Sequence, residues 1–247
     1  MSAVPPGLGS ALGALATRRP LLVASDYDGV LSPLADVPSE AGPQPGVAEV
    51  LRRLAAVPGV TVALVSGRGR ADLQATSGFT GPLRWIGSHG AEFDGPLTGD
   101  LADQRDALAA QLEPLTAGTP GARLEVKPAS VAVHVRQVAD RTAAVALLEA
   151  ARAAVDPSLT LKPGKDVLEV AVTDADKGSA VRRVAAEIGA GGVLYLGDDV
   201  TDEDVFRVLV GDDVGVKVGA GETAAAHRVA DPAAVKALLE QLADLLG

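Results

Sequence analysis

At 247 residues, 47% of them hydrophobic but only 2% aromatic, the chain has material for one large or two modest domains whose packing must rest on Ala, Val and Leu. A formal charge of −10 argues against a nucleic-acid backbone or an anionic membrane as partner, yet permits a small phosphate held in a local cationic pocket. The absence of cysteine excludes disulfides, thiolate nucleophiles and zinc–thiolate sites.

Residues 1–20 place their basic pair after the apolar stretch and show no secretory pattern. No apolar run approaches the roughly 18 residues that span a bilayer, so a soluble, cytoplasmic protein is expected; a monomer is a separate expectation. From Leu21 onward, strand-like and helix-like runs alternate. LLVAS (21–25) reads as a buried strand. In 45–57, Val47, Val50, Leu51 and Leu54 recur at helical spacing. PSEAGPQPG (38–46) is a Pro/Gly loop. VTVALVS (60–66) is a second strand, followed by a helix from Arg70 and a short strand at 83–87. Late in the chain come a helix at 177–189, a strand at 192–197, a helix at 201–210, a strand at 214–219 and a closing helix at 231–246. The last begins with Pro just inside its start. Short continuous apolar strands alternating with amphipathic helices predict a Rossmann-like parallel α/β sheet covered on both faces.

The middle has another pattern. Residues 98–117 and 138–155 look helical, while 123–136 and 166–172 alternate strictly between apolar and polar. That is the mark of an antiparallel sheet with one face open. The expected organisation is therefore a core of 21–91 and 173–247, with a small α+β cap domain at 92–172 inserted between its halves.

In open parallel sheets, ligands bind beyond the carboxyl ends of the strands. Asp26 and Asp28 follow the first strand, Ser66 the second, and Asp198 and Asp199 the strand at 192–197. GDDVTDED (197–204) has five acids within seven positions. One or two could serve the next helix as caps or dipole partners, with Thr201 or Asp202 as cap. Five repel one another, and a divalent cation with oxygen ligands, Mg²⁺ above all, is the natural remedy. Lys177 stands in a first helical turn after Asp174 or Asp176 as cap, where a cation opposes the dipole. It is either an exposed lysine offset by flanking aspartates or an ammonium aimed at a phosphoryl oxygen or a carboxylate. Ser66 in VSGR could cap a helix, or its hydroxyl and the Gly67 amide could meet a phosphate oxygen.

DYDG after an apolar strand, VSGR, a later DKG and then GDDVTDED resemble, in order and in context, the four motifs of the haloacid dehalogenase superfamily of phosphotransferases. Val30 stands where that superfamily usually has Thr. The resemblance implies that Asp26 attacks phosphorus and forms an aspartyl-phosphate. Asp28 would protonate the leaving oxygen and then deprotonate the hydrolytic water. Mg²⁺ would be held by Asp26, the Asp28 backbone carbonyl and Asp198, with Asp199 and Asp202 in support. Ser66 and Lys177 would neutralise phosphoryl charge, with Gly67 and Arg68 beside them on the substrate.

In 123–136, Glu125 and Lys127 share a face, as do Ser130, His134 and Arg136, against Val131, Val133 and Val135. In 165–172, Lys165 and Glu169 oppose Leu168, Val170 and Val172. Such a face is either simply solvated or suited to a polyhydroxyl ligand. GSHGAE (87–92), the charged positions of 125–136 and KPGKDVLEV (162–170) together resemble the trehalose-6-phosphate phosphatases. Carried over, that resemblance implies substrate contacts from Glu92, Glu125, Lys127, His134, Arg136, Lys165 and Glu169. It implies hydrolysis of trehalose 6-phosphate to trehalose and phosphate. His89 and His227 read as structural. Rivals are a phosphatase for sucrose 6-phosphate or mannosyl-3-phosphoglycerate and, more distantly, a receiver-like signalling domain or a non-catalytic sugar-binding protein.

Overall fold

The computed structural model describes residues 5–35, 37, 40–93 and 95–247, apart from the side chain of Pro163. Pro38 and Ser39 of the expected Pro/Gly loop lie outside these residues; 41–46 carries no helix or strand. Residues 95–174 form one compact unit, and the segments on either side of them form the other. Glu92 and Phe93 thus belong with the parallel sheet, not with the inserted segment expected at 92–172.

The larger unit holds β1 (Leu21–Ser25), β2 (Val60–Val65), β3 (Leu83–Ile86), β8 (Gly192–Gly197), β9 (Val214–Val218) and β10 (His227–Val229), all parallel, in the order β10-β9-β8-β1-β2-β3. Burial on both faces explains the continuous apolar runs. Leu21, Val23, Val62 and Leu64 join a core with α2 (Val47–Ala56) and α8 (Pro232–Leu246), while Leu22, Ala24, Ala63 and Val65 join another with α6 (Lys177–Ile188). Helix α3 (Arg70–Ser77) leads into β3. Asp231 caps α8 by accepting from the Ala234 amide, and Asp176 caps α6 with Ser179 as reciprocal partner. Val30 is fully buried in the first core, so its apolar side chain suits its place.

Three elements of this unit escape the sequence pattern. Helix α1 (Pro6–Leu15) lies in the first 20 residues, and its Leu8, Leu12 and Leu15 are buried in the first core. Strand β10 has only three residues. The helix expected at 201–210 is a 3₁₀ turn, Val200–Asp202, followed by the single-turn α7 (Glu203–Phe206). The chain reverses after Phe206 because Gly211 is left-handed and the Asp213 carboxylate accepts from the amides of Val210 and Val193. Since Leu12 is wholly buried, Leu12→Ala should lower stability by about 2–5 kcal/mol. Chemical denaturation checks this, and an unchanged midpoint would exclude α1 from the cooperative core.

The inserted unit carries α4 (Asp100–Ala117), α5 (Arg141–Ala154) and an antiparallel sheet of β4 (Arg123–Lys127), β5 (Ser130–His134), β7 (Val167–Ala171) and β6 (Thr160–Gly164), in that order. Val131, Val133, Leu168 and Val170 pack with Leu108, Leu112, Leu147 and Ala151 of the helices. The opposite face is polar. Strand β6 hides in the sequence because Lys162, Pro163 and Gly164 break its apolar pattern.

Candidate active site

Strands β1 and β8 are adjacent, so the carboxyl end of the sheet brings Asp26 and Asp198 together from positions 172 apart in the chain. Asp26 is only 5% exposed; its Oδ1 accepts from the Tyr27 amide at 2.6 Å and its Oδ2 from Lys177 Nζ at 2.5 Å. The second Lys177 contact is Asp202 Oδ1, at 2.8 Å. Burial opposes the Lys177 charge, but Asp26 and Asp202 outweigh it and hold the ammonium above the usual lysine range. Burial also pushes the Asp26 carboxyl up to about 7, against the downward pull of Lys177.

Asp202 organises the neighbourhood. It is wholly buried; Oδ1 accepts from Lys177 and, at 2.7 Å, from the Tyr195 hydroxyl, while Oδ2 accepts from the amides of Asp198 (2.8 Å) and Asp199 (2.9 Å). Four donors on two oxygens account for how a carboxylate survives there. Lys217, itself 5% exposed, donates to the Asp198 carbonyl and fixes the same turn from the other side. Burial, with Asp202 adding to it, raises the Asp198 carboxyl to about 6.

Carboxylate oxygens of Asp26, Asp198 and Asp202 lie within 4.8 Å of one another, an all-oxygen cluster able to hold a metal ion. Asp202 is already committed to its four donors, so Asp26 and Asp198 are the members with acceptor capacity left. Asp199 is exposed and caps the 3₁₀ turn by accepting from the Val200 amide at 2.7 Å, with Asp202 as its reciprocal capping-box partner; Asp202 also occupies the N-cap position of α7, without a side-chain cap bond there. Gly29 is left-handed (φ 71°), and a Cβ there would lie 2.0 Å from Asp198 Oδ2, so only glycine fits between the two acidic motifs.

The Asp28 carboxylate is held by Arg68 through a fork, Nε to Oδ2 at 2.7 Å and Nη2 to Oδ1 at 2.8 Å. Arg68 also reaches Asp72 at 3.0 Å, and its guanidinium lies 5.8 Å from the Tyr27 ring centroid. Ser66 follows β2, is 1% exposed, and accepts at Oγ from the Arg68 amide at 3.2 Å. Helix α3 starts later, after Gly69, so Ser66 does not cap it. The His89 ring covers Gly67 so closely that a Cβ there would meet it at 2.5 Å.

Within the inserted unit, Lys127 Nζ contacts Glu169 Oε2 at 2.6 Å and Ser130 Oγ donates to Glu169 Oε1 at 2.7 Å. His134 Nε2 lies 2.7 Å from Glu125 Oε2. Burial alone would raise both glutamates; His134 on Glu125 and Lys127 on Glu169 prevail and hold them below the usual range. Arg136 and Lys165 do not stand on the strand faces expected for them. Strand β5 stops at His134, leaving Arg136 exposed in the following turn, and Lys165 sits in the hairpin turn between β6 and β7. On the neighbouring strand β6, Lys162 stands directly opposite Glu169 in register; sequence reasoning missed it along with the strand that carries it.

Tyr195 and Lys217 were also missed. A lysine inside the apolar run VGVKV was the available signal for the second; Tyr195 looks like any core aromatic until its hydroxyl is traced to Asp202.

The family profile described as trehalose-phosphatase matches residues 24–236. A bifunctional trehalose-6-phosphate synthase/phosphatase of Thermoproteus tenax is 37% identical over 93% of this chain and 32% of its own length. A trehalose-phosphate phosphatase of Mycolicibacterium paratuberculosis is 36% identical over 94% of this chain and 64% of its own. The chain thus spans less than two thirds of either relative. The solved structure of an Aspergillus fumigatus trehalose-6-phosphate phosphatase superposes with a TM-score of 0.74 at 28% identity, covering 96% of this chain and 97% of that one. Among the described residues, no helix is long and apolar enough to cross a membrane.

Proposed function

The chain belongs to the trehalose-phosphatase family, and from that premise we propose that it hydrolyses trehalose 6-phosphate to trehalose and phosphate through an aspartyl-phosphate on Asp26. The observation that carries this reading is the buried Asp26 carboxylate braced by Lys177, with a second carboxylate, Asp28, two residues away on the same strand end.

Asp26 attacks phosphorus in line; the bond from phosphorus to the sugar oxygen breaks as Asp28 delivers a proton to that oxygen. Asp28 then takes a proton from the water that attacks the aspartyl-phosphate, releasing phosphate and restoring Asp26. For the first step Asp28 must carry a proton, so the Arg68 fork has to leave its carboxylate, and the guanidinium then turns to the substrate phosphate. Ser66 Oγ and the Gly67 amide donate to phosphoryl oxygens, and Lys177 stays against Asp26 to orient it. Asp26 and Asp198, from the all-oxygen cluster, would hold Mg²⁺ together with the Asp28 carbonyl, and the ion would supply charge neutralisation between an anionic nucleophile and an anionic phosphate. Asp199 and Asp202 support it indirectly, one by capping the turn and the other by fixing both the Asp198 amide and Lys177.

The inserted unit acts as a cap whose polar sheet face recognises the disaccharide. Glu125, Lys127, His134 and Glu169 offer acceptors and donors to hydroxyls, with Arg136 and Lys165 reaching from turns. The formal charge of −10 disfavours a nucleic-acid backbone or an anionic membrane as partner and leaves a small phosphosugar as the ligand; a cytoplasmic monomer is the corresponding proposal.

A panel of phosphosugars tests the substrate. With Mg²⁺ present, phosphate release from trehalose 6-phosphate should exceed that from sucrose 6-phosphate and mannosyl-3-phosphoglycerate in kcat/KM. Faster turnover of sucrose 6-phosphate would overturn the substrate and spare the mechanism.

A further inference from the structure

We infer that Glu92, expected from sequence to touch the sugar, is instead the positioning residue of the phosphate-binding turn, its buried carboxylate tying together the chain segments that place Ser66 and Arg68. The inference rests on the reading above that Ser66 and Arg68 serve the phosphoryl group.

Glu92 is 4% exposed, and one oxygen, Oε2, accepts from two donors. One is the Arg70 amide at 2.8 Å, at the start of α3, where a helix has no partner of its own for its first N–H groups. The other is Ser88 Oγ, also at 2.8 Å. A carboxylate at that helix start also meets the positive end of the helix dipole.

The Ser88 grip matters because Ser88 and His89 are both left-handed, with φ of 50° and 57°, a conformation that non-glycine residues hold only when their surroundings enforce it. In that conformation the Ser88 amide donates to the Arg68 carbonyl at 2.7 Å, and the His89 amide to the Ser66 carbonyl at 2.9 Å. The turn 66–70 and the loop 87–92 are thereby laced together residue by residue. Glu92 closes the lacing through its own backbone, exchanging hydrogen bonds with Gly87 at 3.1 and 3.2 Å. Gly87 must be glycine, since a Cβ would lie 2.9 Å from Glu92 Oε2 and 2.3 Å from the Arg70 amide nitrogen. At the same loop a Cβ on Gly90 would lie 2.7 Å from the Asp176 carbonyl oxygen, immediately before Lys177. Both donors belong to the protein itself, so the chemistry of Oε2 is spent on geometry.

Positioning and sugar contact make opposite predictions for a substrate without sugar. Trehalose 6-phosphate and p-nitrophenyl phosphate are compared in Glu92→Ala and Glu92→Gln. Loss of the acceptor in Glu92→Ala should lower kcat/KM on both substrates by a similar factor, about 10²-fold for a displaced reactive group, and raise the inhibition constant of inorganic phosphate. Glu92→Gln keeps an oxygen that can accept both bonds and should stay near the parent enzyme. A loss confined to trehalose 6-phosphate would show direct sugar contact and overturn the inference, as would a Gln variant as impaired as Ala. If Glu92→Ala does not fold, Ser88→Ala removes one of the two donors and should give a smaller loss, again equal on both substrates; an unequal loss counts against positioning. Should another phosphosugar prove to be the natural substrate, the p-nitrophenyl phosphate arm still decides the role of Glu92.

Discussion

Asp26→Asn is expected to abolish turnover, with a loss on the order of 10⁴-fold or more, as for removal of a covalent nucleophile. The carboxamide is nearly isosteric, yet it cannot satisfy its surroundings. Both carboxylate oxygens accept hydrogen bonds, one from Lys177 and one from the Tyr27 amide. Whichever way the introduced amide is flipped, its NH₂ group faces a donor, and the unpaired donor costs about 1–3 kcal/mol. The variant should therefore be both inactive and somewhat less stable. Rapid-quench labelling with ³²P-substrate should show a protein-bound phosphoryl group in the parent and none in the variant. Unchanged phosphate release would sink the covalent mechanism.

The second large effect is expected at Lys177. Lys177→Met keeps the apolar stem but leaves Asp26 Oδ2 and Asp202 Oδ1 facing each other in a buried site with no cation between them. Breaking a buried ion pair by removing one partner typically costs about 3–5 kcal/mol, and activity should be lost as well. The damage should depend on pH, and its sign follows from Asp26. Burial already holds that carboxyl at about 7 in the folded protein, against an ordinary 3.8, despite the downward pull of Lys177. Without Lys177 it rises further. A carboxyl raised on folding favours the folded state below its unfolded pKa, and that benefit is lost as pH rises through the folded value. The destabilisation of Lys177→Met relative to the parent should thus be smaller at pH 5 than at pH 8, because at pH 5 the repelling Asp26 is protonated. Thermal melts at the two pH values check this. A deficit that is the same at both, or larger at acid pH, would mean that Lys177 does not balance Asp26.

Much of the architecture was legible in the sequence. Continuous apolar strands bounded by amphipathic helices specify a parallel sheet covered on both faces, because only such a sheet buries every side chain of LLVAS or nearly every one of VTVALV. The strict alternation around Val131, Val133 and Val135 specified a one-sided antiparallel sheet for the same kind of reason. Strand-end carboxylates, the Ser of VSGR and the Lys of DKG were visible as residues that solvent-facing loops do not require.

What tertiary structure alone decided is which of these groups spend their hydrogen bonds on one another. Asp202 belongs to the acidic cluster that could hold a metal, and only the folded chain shows its oxygens also accepting from Lys177, Tyr195 and two amides. Lys217 and Tyr195 gained roles only when β8 and β9 met the Asp198–Asp202 turn at the carboxyl end of the sheet. Glu92 changed from sugar contact to brace. Arg136 and Lys165 left their predicted faces because side-chain parity holds only while a strand continues, and strand ends are set by pairing with neighbours. Local pattern follows from the period of the backbone. The assignment of each polar group depends on partners that folding alone brings within about 3 Å.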